Sequence, residues 1–313
     1  MLHTFTVDAL DVSSAWLKAC RSLAKIPGGR GYHTVVRIAD PRSERVEVHA
    51  ELERLRIAGD KYPMEAVINT LFPSALAASC RDHAELARRY LALYERLRKA
   101  DRRNVHGTYF GRLVGHPGRE GAAPVDQLGL LIARLRKLSH SSRWNAVYEA
   151  GTVHVEDGPP PVEEVPADLP IRDLGGDTQM LDFPCLSHVS FQLESGTGTV
   201  HTVAYYRSHY MFDRAYGNYL ALGKLNAWVA EQAGLRPGRL MVVAGVAHLD
   251  CSQKILDRVD KAQPADLLGL VSDAQERSAA PDAPRVPDAP APAASVSPHF
   301  GGNHGVNGAE SAR

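Results

Sequence analysis

A proline–cysteine step, Asp182-Phe183-Pro184-Cys185-Leu186-Ser187-His188, is followed by Tyr206-Arg207-Ser208 and then by Asn218. Proline fixes the backbone just before the thiol, which suits a nucleophile that must be held in one place. The thiolate is the attacking species, so a guanidinium such as Arg207 would assist by lowering the cysteine pKa. An Arg-Ser pair offers planar paired donors and a hydroxyl to phosphate oxygens. A carboxamide such as Asn218 both donates and accepts, so it can read a polar ring edge, although Asn is also a good helix N-cap. The competing role for Cys185 is that of a packing cysteine, the role expected of Cys20 and Cys80 in their helix-like surroundings.

These residues need elements to position them. Apolar side chains recur at helical spacing over Ser13–Leu23, His83–Ala100 and Val125–Leu138, the last with Leu128, Leu131, Ile132 and Leu135 on one face. A fourth helix is expected over Asn218–Gly234, with Gly234 as its stop. Strands are expected at Thr34–Ile38, Ala146–Tyr148, Leu186–Leu193, Thr199–Tyr206 and Arg239–Ala244. Helices and strands that do not alternate strictly favour an α+β fold over a doubly wound one. The folded catalytic domain is expected over residues 1–262. Residues 278–313 are rich in Ala, Pro and Gly with almost no large apolar side chains, and are expected to be a disordered tail. The Pro-rich acidic stretch beginning Asp157-Gly158-Pro159 reads as a surface insertion.

Of 313 residues, 44% are hydrophobic and 23% charged, and 36 basic side chains balance 36 acidic ones. That balance argues against a general binder of DNA or of anionic membranes. The longest apolar runs, such as Leu240–Val246, are too short to span a bilayer. The amino terminus lacks the layout of a signal peptide. The four cysteines, Cys20, Cys80, Cys185 and Cys251, form no CxxC pair. Structural disulfides and a metal site are therefore not expected, and a reducing, cytoplasmic setting is.

The order of several short motifs resembles that of the thymidylate synthase and pyrimidine nucleotide hydroxymethylase family. They are the Gly-rich Gly28-Gly29-Arg30-Gly31, then Gly107-Thr108-Tyr109-Phe110-Gly111-Arg112, then Val125-Asp126-Gln127-Leu128. Ser141-Ser142-Arg143, Phe183-Pro184-Cys185, Tyr206-Arg207-Ser208, Leu235-Arg236-Pro237-Gly238 and Gly245-Val246-Ala247-His248-Leu249 continue the series. The resemblance implies a mixed sheet with flanking helices and a homodimer in which Arg143 reaches across the interface. It implies that Cys185 adds to C6 of a pyrimidine nucleotide, with 5,10-methylenetetrahydrofolate as the one-carbon donor. Arg30, Arg143, Arg207 and Ser208 would hold the 5′-phosphate, Asn218 the base, and His248 and Asp250 the ribose hydroxyls. Glu65 would move protons through water, and Tyr109 would assist at C5.

The chain departs from the family pattern. Leu186 replaces the His after the nucleophile, Tyr206 the Gln before the Arg-Ser pair, Tyr210 an Asp that holds the folate pterin, and Asp250 a sugar-binding Tyr. Asp250 is compatible with a ribose 2′-hydroxyl. The carboxy-terminal segment that closes the family's site has no evident counterpart. Hydride delivery needs a dry site and a well-held pterin, so hydroxymethylation of a UMP-, CMP- or deoxy-type nucleotide is expected. Methylation of dUMP is the alternative, and a non-catalytic nucleotide- or RNA-binding relative is a further one.

Overall fold

In a computed structural model, the residues described are 2–100, 107–116, 123–138, 148–152 and 185–264. They belong to one contact unit, Met1–Leu270. The expected tail and the Pro-rich insertion lie outside the described residues.

The chain opens with β1 (Thr6–Ala9) and α1 (Val12–Ala24), whose N-cap Asp11 accepts the Ser14 N–H at 2.8 Å. Next come β2 (Arg30–Ile38), α2 (Val46–Ala58), α3 (Met64–Leu71), α4 (Ser74–Ala78), α5 (His83–Ala100), α6 (Tyr109–Val114) and α7 (Gln127–Leu138). The rest is β3 (Tyr148–Gly151), β4 (Leu186–Glu194), β5 (Thr199–Tyr210), α8 (Tyr216–Ala233), β6 (Arg236–His248) and α9 (Gln253–Asp260). The expected helices and strands are present, with β2, β5 and β6 running several residues further. Residues 146 and 147 of the expected third strand fall outside the described set. β1, α2, α3, α4, α6 and α9 are additions to the elements expected from the sequence.

The six strands form one mixed sheet in the order β1-β2-β6-β5-β4-β3. β1 and β2 run parallel, as do β5 and β6, while the other neighbours are antiparallel. An α+β class with a mixed sheet and flanking helices is therefore what the chain forms. α8 is the central helix. It buries residues all round its circumference, among them Tyr219, Leu222, Leu225 and Val229. It ends at Gly234, whose φ of 73° is the left-handed conformation a glycine C-cap adopts at least cost.

One sheet face carries the core side chains Val36, Ala204, Tyr206, Val242 and Ala244. On the other, Val35, Val203, Met241 and Val243 are half-buried and Tyr205 is exposed. No helix among the described residues is long and apolar enough to cross a membrane.

Candidate active site

Strand direction brings the chemistry-bearing residues to one end of the sheet. β5 and β6 are parallel and end together, so Ser208 pairs with Val246 and Tyr210 with His248. β2 and β4 run antiparallel to them, so their first residues meet those ends: Arg30 pairs with His248, and Leu186 with Tyr206. The Arg207 N–H donates to the Cys185 carbonyl at 2.8 Å. A bulge at Ser187 sets Leu186 opposite Tyr206 but His188 opposite Tyr205, and such bulges re-aim neighbouring side chains. Gly245 leaves room for this packing, because a Cβ there would lie 2.8 Å from the Arg207 carbonyl oxygen.

The edge behind Cys185 is fastened by buried polar groups. The Thr152 hydroxyl donates to the Leu186 carbonyl, and Arg112 of α6 donates to the Thr152 carbonyl at 2.9 Å. Gln127 at the start of α7 bonds both the N–H and the C=O of Gly151, at 3.0 and 2.8 Å. Tyr109 opens α6 after its N-cap Thr108, and its hydroxyl oxygen faces the Leu186 N–H at 3.5 Å.

Cys185 is half-buried, and burial holds its thiol above the ordinary value. Arg207 and Arg214 are the cations that oppose the shift. The expected assistance from Arg207 is thus present, but desolvation outweighs it. Burial also pushes Tyr109 up to about 12, with Cys185 adding to the rise, so its phenol stays protonated.

Arg214 was absent from the sequence reading. It sits in Met211–Ala215, a single π-helical turn between β5 and α8, beside Asp213 at 3.0 Å. Such wide turns recur at functional sites. This one is clamped from both ends. The Asp250 carboxylate accepts the N–H groups of Phe212 and Asp213 at 2.7 and 2.9 Å. Arg56 of α2, fully buried, donates to the carbonyls of Phe212 and Asp213 at 2.6 and 2.8 Å and to that of Tyr62 at 2.7 Å. The Trp16 indole N–H donates to the Met211 carbonyl at 2.6 Å.

Asn218, in the first turn of α8, is buried and makes no N-cap bond. Its Nδ2 lies 3.1 Å from Nε2 of His209. His209 is pushed down to about 3 by burial, so its ring is neutral and can accept from the carboxamide. It stacks on Tyr206 at 4.1 Å and 8°, and meets the edge of Tyr219 at 5.6 Å. His248 stacks on Tyr210 at 4.8 Å and 14°; burial first, then Arg30, lower its pKa. Arg30 is exposed and Ser208 half-buried.

Glu65 is exposed on the first turn of α3, next to Met64, which packs where a Cβ on Gly217 would lie. The Met64 N–H is taken by Glu53 at 2.7 Å. A cavity of about 320 Å³ lies between α3 and α5, and neither Glu65 nor Tyr109 lines it. It is lined by Ala66, Asn69, Thr70, Tyr90, Leu97 and Thr108. Arg143 lies outside the described residues. Among the described residues, no His, Cys, Asp and Glu side chains cluster as a metal site.

The structure therefore gathers Cys185, Tyr109, Arg207, Ser208, Asn218, His248, Asp250 and Arg30 at one sheet end, and adds Arg214, His209 and Arg56; Tyr206, in sequence only the residue standing in place of a Gln, joins them through its stack on His209. The added three leave little trace in sequence, apart from the Asp213-Arg214 charge pair. No family model matches the chain. Over 80 residues it is 38% identical to a protein of Methanopyrus kandleri described as "Putative thymidylate synthase". The match covers 26% of this chain and 36% of that relative, so the chain spans about a third of the length of the curated relative it matches.

Proposed function

We propose that the chain catalyses one-carbon transfer to C5 of a pyrimidine nucleoside 5′-monophosphate through a covalent bond between Cys185 and C6, with a hydroxymethylated nucleotide as product. The observation that carries this reading is the backbone-bonded Cys185–Arg207 pair, with a second guanidinium, Arg214, and a buried carboxamide, Asn218, at the same sheet end. The partial likeness to a protein described as a thymidylate synthase supports it.

In this reading Arg207, Ser208 and Arg30 hold the 5′-phosphate, with Arg143 from the partner copy of a homodimer. The incoming negative charge also favours a closed shell of guanidinium donors around the thiol. Asn218 fixes the base edge. The Cys185 sulfur forms a bond to C6, and the C5–C6 electron pair moves onto the ring. C5 is then nucleophilic and would take up the one-carbon unit that a bound folate supplies, with the carrier nitrogen as the leaving group. Tyr109, protonated, holds water near C5, and Glu65 takes the C5 proton through that water as the carrier leaves. Water then adds to the methylene carbon left on C5, and elimination of the Cys185 thiolate restores the ring.

The half-exposed Tyr210 ring stacked on His248 fits a flat heteroaromatic carrier better than it fits the carboxylate-held pterin of the family pattern. Tyr210 would hold 5,10-methylenetetrahydrofolate, which when bound supplies carbon at the oxidation level of formaldehyde. With the family's Asp replaced by Tyr210, water rather than hydride completes the product. His248 and Asp250 face the ribose. Because both Asp250 oxygens already accept backbone N–H groups, sugar contacts there add to a structural role.

The open sheet face with Val203, Tyr205, Met241 and Val243 supports a second copy as partner; a molar mass twice that of the chain in light scattering is expected. The catalytic reading is tested by incubating the protein with UMP, dUMP, CMP or dCMP and methylenetetrahydrofolate, then weighing the product. A product heavier by CH₂O, with release of tetrahydrofolate, is expected. One heavier by CH₂, with dihydrofolate, would replace hydroxymethylation by methylation. A nucleotide-binding protein without chemistry is the second reading, favoured by the burial that keeps Cys185 a thiol.

A further inference from the structure

Tyr206 is a residue the proposed chemistry leaves without a task. It lies on β5, fully buried, paired across the sheet with Leu186, the residue after Cys185. Its hydroxyl oxygen is buried and has no hydrogen-bond partner among the described residues. A phenylalanine would fill the same space without that penalty, because a buried hydroxyl left unpaired is costly.

The ring cannot swing to find a partner elsewhere. It is stacked against His209 at 4.1 Å and 8°, and His209 is in turn tied to Asn218 at 3.1 Å and flanked by Tyr219. The titratable side chains near enough to act on it electrostatically are Tyr109 and Cys185 of the candidate site and Tyr219 of α8. Tyr109 reaches the same place from α6, with its oxygen 3.5 Å from the Leu186 N–H. Burial keeps the Tyr206 phenol protonated, so what it lacks is an acceptor.

We propose that the Tyr206 hydroxyl is a substrate-contacting hydrogen-bond donor, satisfied when a pyrimidine ring lies against Cys185 and presents a ring carbonyl oxygen to it. This rests on the nucleotide reading above. A donor at that oxygen would hold the ring while the electron pair released from C5–C6 spreads onto it, as preorganised donors do in other sites. It would also make this pocket more selective for oxo-pyrimidines than the phosphate contacts alone.

The test is Tyr206→Phe, which removes one oxygen and keeps the stacking. In the full-length protein, melting temperature without ligand and affinity by calorimetry are measured for whichever of UMP, dUMP, CMP and dCMP the wild type binds. The expected result is an unchanged or raised melting temperature together with about tenfold weaker nucleotide binding. Unchanged affinity would overturn the assignment, whether the melting temperature rises, as for an idle hydroxyl, or falls, as for a structural one. Wild-type protein that binds none of the four nucleotides would overturn the nucleotide reading and this inference together. Wild-type binding with an indifferent Tyr206→Phe variant overturns this inference alone.

Discussion

Cys185 is a thiol with burial on one side of the balance and two guanidinium groups on the other, and burial wins. Its thiolate is therefore scarce at neutral pH in the unliganded protein, and nucleophilicity must rise with pH through and beyond the ordinary thiol range. In a background of Cys80→Ser and Cys251→Ser, the pH profile of alkylation by iodoacetamide should give an apparent pKa above about 8.5. A profile that levels off below that value contradicts the assignment. Arg214→Gln should slow alkylation at a fixed pH by about two- to fivefold, as befits the loss of a partly exposed charge. His209 shows the opposite sign. Its folded pKa of about 3 lies below the unfolded value near 6.5, so the stability it contributes is present above about pH 6.5 and is lost as pH falls towards 3. An acid titration of unfolding free energy should show a loss on the order of several kcal/mol over that window. That loss should be smaller in His209→Phe. Cys185, Arg207, Ser208 and Asn218 were legible in the sequence because each is a chemically distinctive residue in a short motif. His209 was not, and Tyr206 showed only as a departure from the family pattern, because their packing roles come from a ring stack and from burial, which a linear pattern does not carry.

The Met211–Ala215 turn is the element on which the site depends. Asp250 holds its N–H groups, Arg56 its carbonyls, and Trp16 its first carbonyl. Arg56→Met should destabilise the protein by about 3–5 kcal/mol in chemical denaturation, because it leaves buried carbonyls without their donor. Asp250→Ala should cost about 1–2 kcal/mol and also lower the reactivity of Cys185, since the turn that carries Arg214 loosens. A variant with normal stability and normal thiol reactivity would show that Asp250 is free for other work. α2 escaped the sequence reading because its buried stripe is Val48, Leu52 and Arg56, so the helical period is broken by a cation in the position of an apolar residue. β5 and β6 outran their expected lengths because their last residues, Arg207–Tyr210 and Gly245–His248, lack the apolar–polar alternation by which a strand is recognised. The helix expected to begin with Asn218 as its cap begins at Tyr216, since the π turn feeds directly into it.

At the scale of the whole molecule, the α+β class was readable from non-alternating helices and strands, whereas the strand order was not. Six strands in the order β1-β2-β6-β5-β4-β3 bring residues 30, 185, 207 and 248 together, and nothing in local sequence encodes that meeting. What it produces is a cysteine, an arginine pair, a carboxamide and an orphan hydroxyl on one sheet end, with a half-covered apolar face behind it. The central claim is that Cys185 is the nucleophile towards a pyrimidine nucleotide. It is tested most directly by intact-mass spectrometry after incubation with 5-fluoropyrimidine nucleotides, ribo and deoxy, and methylenetetrahydrofolate. A covalent adduct that maps to Cys185 and vanishes in Cys185→Ser is expected; a well-folded protein that forms no adduct with any of these nucleotides, or forms one that survives Cys185→Ser, would contradict it.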